Sequence, residues 1–250
     1  MIREKEPESR GLAYWHACSG LMFTVMMILG WVYIVHTGAG IPDLRDGQVS
    51  YDAYVEYGRN LANAIAVMTV GFGLALWTIR VVLGEIHKAP GARPMMWIAA
   101  GGAYSFVTVV MAGLALGMVA TLALRSSGHG AGVSSVYVTH LSSLLIGPIT
   151  TICCPVFFGA LAIVIFTKRI FPRWLGRITV ACVFGSMTPM LGFWSAGGPL
   201  NLDSGWVGLQ TMVLSWTVFS AAVSIHLLRE LRLRGSYSLQ RSLETAAAAG

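Results

Sequence analysis

Six long apolar runs dominate this chain, at approximately 14–37, 60–84, 95–124, 139–167, 177–197 and 207–228, and none carries Asp, Glu or Lys near its middle. A helix crosses a hydrocarbon core of about 30 Å with about 20 apolar residues, so each run is long enough to span. Inside lipid every backbone polar group must be satisfied internally, which leaves helices and closed β-barrels as spanning structures. The runs show no period-2 alternation, so the fold class read from them is all-α, a polytopic transmembrane bundle with six spans. Composition agrees. Only 11% of the 250 residues are charged and 55% are hydrophobic, whereas a soluble domain carries about 25% charged residues.

The formal net charge is +6, but the basic residues lie in short loops and tails between the apolar runs. Membrane topology explains them better than a nucleic-acid partner does. On one side fall the N-terminus, GEIHKAPGARP (from Gly84), TKRIFPRWLGR (from Thr167) and the C-terminal tail, which with Arg80 hold fourteen of the seventeen Lys and Arg. Only Arg45, Arg59 and Arg125 fall on the other side. Cytoplasmic loops are rich in Lys and Arg, so both termini are expected in the cytoplasm, with the protein in the plasma membrane. Trp15, Trp31, Trp97, Trp174 and Trp206 lie near the expected span ends, as an aromatic belt would place them.

Residues 1–234 read as one six-helix membrane domain, and 235–250 as a flexible cytoplasmic tail. The N-terminus does not read as a signal peptide. Arg3, Lys5 and Arg10 alternate there with Glu4, Glu6 and Glu8, and the apolar run that follows is too long for an h-region. The longest outer loop begins at Thr37, where Ser50 is a candidate cap and Tyr51, Tyr54 and Tyr57 recur at three-residue spacing. That spacing suits an interfacial extension of the second helix. Three helices precede the loop at Ser126 and three follow it, but the turns ARPMMW and FPRWLG do not occupy equivalent places in a three-plus-three repeat.

The lack of mid-span carboxylates and lysines bears directly on function. Ion and proton coupling needs a group that binds the ion or changes charge near the midplane, and a retinal Schiff base needs a lysine. Both readings are therefore disfavoured, as is a catalytic one. There is no GxSxG, and Ser142 and Ser143 beside His140 lack a carboxylate to complete a triad.

Histidines at the span ends suggest b-type haem ligation, by His36 with His140 or by His16 with His226. His16 and His36 are twenty residues apart. At about 100° per residue this places them roughly 200° apart around the first helix, so both do not face one interior. An outer metal site could draw on His36, His129 and His140 with Asp43, Asp46, Asp52, Glu56 or Asp203, a set that suits Zn or Cu. No HExxH or HxH spacing accompanies it. The four cysteines, Cys18, Cys153, Cys154 and Cys182, all fall in apolar runs without metal-site spacing and read as small packing residues.

Pro148, Pro155 and Pro189 interrupt the fourth and fifth runs and free backbone carbonyls there. Thr150, Thr151 and Thr188 are placed to bond those carbonyls. Alternatively, the bends open a pocket between helices four and five lined by Thr150, Thr151, Cys153, Cys154, Phe157, Met187, Thr188, Met190 and Phe193. Gly113 and Gly117 form a GxxxG, and Gly71, Gly73 and Gly185 are further candidates for close helix approach.

The stretch IFPRWLGRITVACVFGSMTPMLGF (from Ile170), followed by GPLNLDSGWVGL (from Gly198), resembles a pattern in uncharacterised actinobacterial membrane proteins, including those grouped as domain of unknown function 4386. The resemblance covers the C-terminal third. It implies a six-helix bundle and carries no catalytic residues with it.

The leading expectation is a non-enzymatic membrane protein. It binds or passes a neutral lipophilic molecule, or serves as a membrane subunit of a larger complex, with membrane lipid and partner subunits or further copies of itself around it. The alternatives are a b-type haem redox protein and an outer-face metal enzyme.

Overall fold

The computed structural model describes the backbone of residues 10–36, 47–126, 132–191 and 206–248, with side chains chiefly over 11–33, 51–122, 150–191 and 210–233. Every regular element among the described residues is an α-helix. In chain order these are α1 (Arg10–His36), α2 (Gly47–Lys88), α3 (Arg93–Ser126), α4 (Val133–Lys168), α5 (Arg173–Leu191) and α6 (Trp206–Ala248). Five contain stretches long and apolar enough to cross a membrane: Gly11–Tyr33, Val55–Lys88, Arg93–Val119, Thr150–Lys168 and Gln210–Leu233. The protein is thus an all-α membrane-type bundle. The outer-loop residues 37–46, 127–131 and 192–205 lie outside the described residues.

Two helices outrun the spans expected for them. α2 begins at Gly47 and absorbs the tyrosine segment as helix. α6 continues through Ala248, so residues 235–248, expected to be a frayed tail, extend it. Leu, Gln, Arg, Glu and Ala in SLQRSLETAAA are strong helix formers, and the chain holds no proline after Pro199 to stop them.

Short turns at one end join α2 to α3 and α4 to α5. In the first, Gly91 takes φ +70, and Ala92 N–H donates to the Ala89 carbonyl at 3.2 Å. In the second, Arg169 takes φ 54 and donates its N–H to the Ile165 carbonyl at 3.0 Å, a left-handed C-terminal cap made without glycine. Pro172 then leads directly into α5, and its carbonyl accepts from Leu175 N–H at 3.0 Å. Proline is favoured at a helix start because its missing N–H has no partner to lose there.

Neighbours in sequence pack as neighbours in space, α1 closes against α6, and α2 also reaches α4 across the middle. The helices form a closed ring around a core of aromatic side chains. Phe23, Phe72, Phe106, Phe157, Phe158, Trp216 and Phe219 are all buried within it. Trp216 is central, with Phe106 stacked parallel at 4.6 Å and Phe157 at 4.9 Å.

The seams between helices are lined by small and hydroxyl residues. In lipid no hydrophobic effect drives helices together, so close packing and interhelical hydrogen bonds do. Gly102 lets α3 approach α4 so closely that a Cβ there would lie 2.7 Å from the Cys153 carbonyl and the Phe157 nitrogen. Between α1 and α6, Gly20 faces Ser220 and Ser224. There Ser224 Oγ accepts from Leu21 N–H at 3.2 Å, and Thr24 Oγ1 donates to the Thr217 carbonyl at 3.2 Å. Of the glycines expected to bring helices close, Gly71 meets α1, Gly117 meets Ile65 and Gly185 meets Ser215, whereas Gly73 faces open space.

Candidate functional site

α4 presents Thr150, Thr151, Cys154 and Phe157 to the bundle interior, all buried. Thr150, Cys154 and Phe157 pack on α6. Thr150 Oγ1 donates to Met212 Sδ at 2.7 Å. One turn on, Trp216 Nε1 donates to Cys154 Sγ at 3.2 Å. Cys153, beside Cys154, is half-buried. All four cysteines are free thiols.

The α5 half of the expected pocket divides. Thr188 turns inward and is paired with Thr211 of α6. It also donates to the Gly185 carbonyl at 2.7 Å. That carbonyl is the one Pro189 leaves unmatched four residues later, so here the hydroxyl repairs the interrupted ladder. Met187 and Met190 are exposed on the outer surface of α5, away from the α4 residues expected to share a pocket with them. Phe193 lies outside the described residues.

The candidate haem ligands fare similarly. The side chains of His36 and His140 lie outside the described residues. His16 packs its ring on Trp77 of α2 at 5.7 Å, and Trp77 in turn takes Arg80 over its face at 5.7 Å. His226 sits against Phe171 at 5.7 Å and Trp174 at 6.4 Å. The two rings thus belong to separate aromatic groups on different neighbours. Of the outer metal candidates, Asp52 and Glu56 are exposed on one face of α2, and the side chains of His36, His129, His140, Asp43, Asp46 and Asp203 lie outside the described residues. Among the described residues no three His, Cys, Asp or Glu side chains gather as a metal would require.

A cleft of about 280 Å³ opens between α1 and α6, in the half of the bundle remote from the two short turns. Met27, Ile28 and Trp31 of α1 line one wall; Gln210, Thr211, Val213, Leu214 and Thr217 of α6 line the other. Its walls are apolar in the middle and polar at the ends. Thr217 Oγ1 is taken by its own Val213 carbonyl at 2.8 Å, and Thr211 by Thr188. The Gln210 carboxamide and the Trp31 indole N–H make no hydrogen bond among the described residues. The cleft exists because the small-residue seam Gly20/Ser220/Ser224 draws the helices together on one side of it, while Met27, Trp31 and Gln210 hold them apart on the other.

None of these residues was singled out as a pocket from sequence, although Trp31 was placed in the aromatic belt. The available signal was Gln210, an amide one helical turn inside an apolar span at the level of a belt tryptophan. No protein-family model matches the chain, and the comparisons with characterised proteins and with solved structures give no match either.

Proposed function

We propose that the chain is a six-span membrane protein, with both termini on its basic, cytoplasmic side, that holds a neutral lipophilic molecule in the cleft between α1 and α6. The cleft carries the proposal. Its volume of about 280 Å³ is at the lower edge of the range for small-molecule sites, about 300–1,000 Å³. The contacting walls of Met27, Ile28, Val213 and Leu214 suit hydrocarbon, and Gln210 and Trp31 offer a carboxamide and an N–H to a neutral polar end. No lining residue carries a charge, so an ionised head would enter without compensation.

Binding fits better than passage through the ring. The centre is filled by the stacked Phe106, Trp216 and Phe157, and conduction would require displacing a close-packed core.

The sixth span is supported by α5, which is built inside out. Beyond the buried Leu175 at its start, its buried face is small or polar: Gly176, Thr179, Cys182, Ser186 and Pro189. Its exposed face carries Val180, Phe184 at 68% exposure, Met187, Met190 and Leu191. A soluble helix would reverse this arrangement. Its 19 residues span about 28 Å, close to the hydrocarbon thickness.

The test is lipid analysis of the purified protein in parallel with a variant whose cleft is filled, Leu214→Trp, and one whose polar end is removed, Gln210→Leu. One neutral lipophile should be enriched over bulk lipid with the native protein and lost with Leu214→Trp. Gln210→Leu should weaken its binding about fivefold, as loss of one hydrogen bond of about 1 kcal/mol implies. Equal lipid profiles for all three proteins would sink the proposal.

A further inference from the structure

α5 begins with charges of the wrong sign for a helix start. Arg173 is its first residue and Arg177 follows one turn later, and both are exposed. The start of a helix is the positive end of its dipole and favours acidic residues, yet the first turn of α5 has none. Like charges at i and i+4 also repel across one face. Lys168 and Arg169, both exposed, close α4 just before. Lys168 Nζ lies against the neighbouring turn, 3.6 Å from where a Cβ on Gly91 would stand.

Among the described residues nothing neutralises this group. No Asp or Glu occurs between Glu85 and Asp203, so α3, α4 and α5 hold no carboxylate. Glu85 is taken by Lys88 at 2.5 Å. Lys168, Arg169, Arg173 and Arg177 form no ion pair among the described residues. Membrane topology accounts for the side on which these charges lie. It does not call for two arginines on one face of one helix with no anion between them.

Beyond the charges the same face turns apolar. At about 100° per residue, Arg173, Arg177, Val180, Phe184 and Leu191 fall within about 60° of one another around α5. Val180, Phe184 and Leu191 are exposed. On one flank the half-exposed Phe166 of α4 lies over Gly176, where a Cβ would meet its ring at 2.9 Å. On the other, the exposed Trp174 rests against His226 of α6 at 6.4 Å. The stripe is cationic in its first turn and apolar from there on, with an aromatic side chain on either flank.

We infer that this face of α5 holds an anionic phospholipid, its phosphate between Arg173 and Arg177 with Lys168 and Arg169 beside it, and an acyl chain along Val180, Phe184 and Leu191. A guanidinium keeps its charge and matches a phosphate in bidentate geometry. Arg177 leaves the helix about 6 Å deeper than Arg173, at 1.5 Å per residue, and its long side chain reaches back to headgroup level. Basic groups between helix ends on the cytoplasmic side suit the anionic lipids of that leaflet. A zwitterionic lipid brings its own ammonium and leaves the cationic excess in place. A soluble anion uses none of the apolar stripe. The inference rests on α5 crossing the membrane, as proposed above, and uses a surface separate from the α1–α6 cleft.

The test places purified protein in nanodiscs of equal phosphatidylglycerol and phosphatidylcholine and reads the retained lipid by native mass spectrometry. Phosphatidylglycerol should be retained in preference. Arg173→Gln with Arg177→Gln should lower its retention at least about tenfold, a loss of roughly 1.4 kcal/mol, and Phe184→Ser should weaken it with the charge untouched. The charge-matched Arg59→Gln with Arg80→Gln should retain it as the native protein does, and so should Leu214→Trp, which fills the cleft. Millimolar inorganic phosphate should not displace it. Equal retention of the two lipids would overturn the inference. So would an equal loss in the charge-matched variant or in Leu214→Trp, or displacement by phosphate alone. A glycosylation reporter placed beyond Leu191 separates the two readings. An inserted α5 without selective retention sinks this inference alone, and an α5 that does not insert sinks the six-span reading with it.

Discussion

Trp216 shows how much one side chain organises here. At 1% exposure it stacks on Phe106 and Phe157 and donates to Cys154 at 3.2 Å, tying α6 to α3 and α4 together. Aromatic pairs add about 0.5–1.5 kcal/mol beyond their burial, and removing a large buried aromatic costs about 3–5 kcal/mol. Trp216→Ala is expected to lower the melting temperature in detergent sharply, whereas Trp216→Phe retains the stack and loses mainly the N–H···S bond. Equal losses for the two would mean that stacking contributes little. Adjacent glycines provide a cleaner contrast. A Cβ at Gly102 would lie 2.7 Å from α4 backbone atoms, while one at Gly101 meets nothing within 4 Å. Gly102→Ala should destabilise the bundle and Gly101→Ala should leave it as stable or slightly more so, as thermal unfolding of the two variants would show. Composition marks both residues identically, so this difference was not legible in the sequence.

At the level of helices, α5 is the informative one. Its two arginines and many small polar residues keep it out of the strongly apolar set, yet its outward side chains are the ones that suit lipid. Phe184→Arg places a charge on that outer face and should reduce membrane insertion, with a cost of about 2.5–3.5 kcal/mol at mid-span. A glycosylation-reporter insertion assay would measure it, and unimpaired insertion would argue that α5 does not cross. Much of the element pattern was readable beforehand. Six spans were expected; among the described residues there are six helices, five of them long and apolar enough to cross a membrane. Their termini were less so, because the 42 residues of α2 and the 43 of α6 include amphiphilic segments that hydropathy does not count as span. Thr188 behaved as its neighbour Pro189 implied, bonding the Gly185 carbonyl, since a freed carbonyl one turn back is a local consequence of chain geometry.

At the scale of the whole molecule, ring closure places both short turns at one end. Lys88, Arg93, Lys168, Arg169 and Arg173 gather in and beside them, while Asp52, Glu56 and Arg59 mark the start of α2 at the other end. This asymmetry leads us to expect the turns in the cytoplasm. A membrane-impermeant thiol reagent applied to intact cells should label Gly132→Cys, at the start of α4, and spare Pro90→Cys in the α2–α3 turn. The reverse pattern would invert the proposed topology.

Hydropathy and charge, read along the chain, determined that this is a helical membrane-type protein with basic turns at one end. Those properties follow from transfer of each segment into lipid, which depends on the segment alone. The ring, the aromatic core and the cleft were decided only by tertiary packing. Thr150, Cys154 and Phe157 looked like pocket residues along one helix, yet α6 brings Met212 and Trp216 onto them. Among the described residues a cleft opens between α1 and α6, the first and last helices, where sequence distance conceals that Met27 and Val213 line opposite walls of the same cleft. Cavities arise where two surfaces fail to meet, and no single segment encodes that.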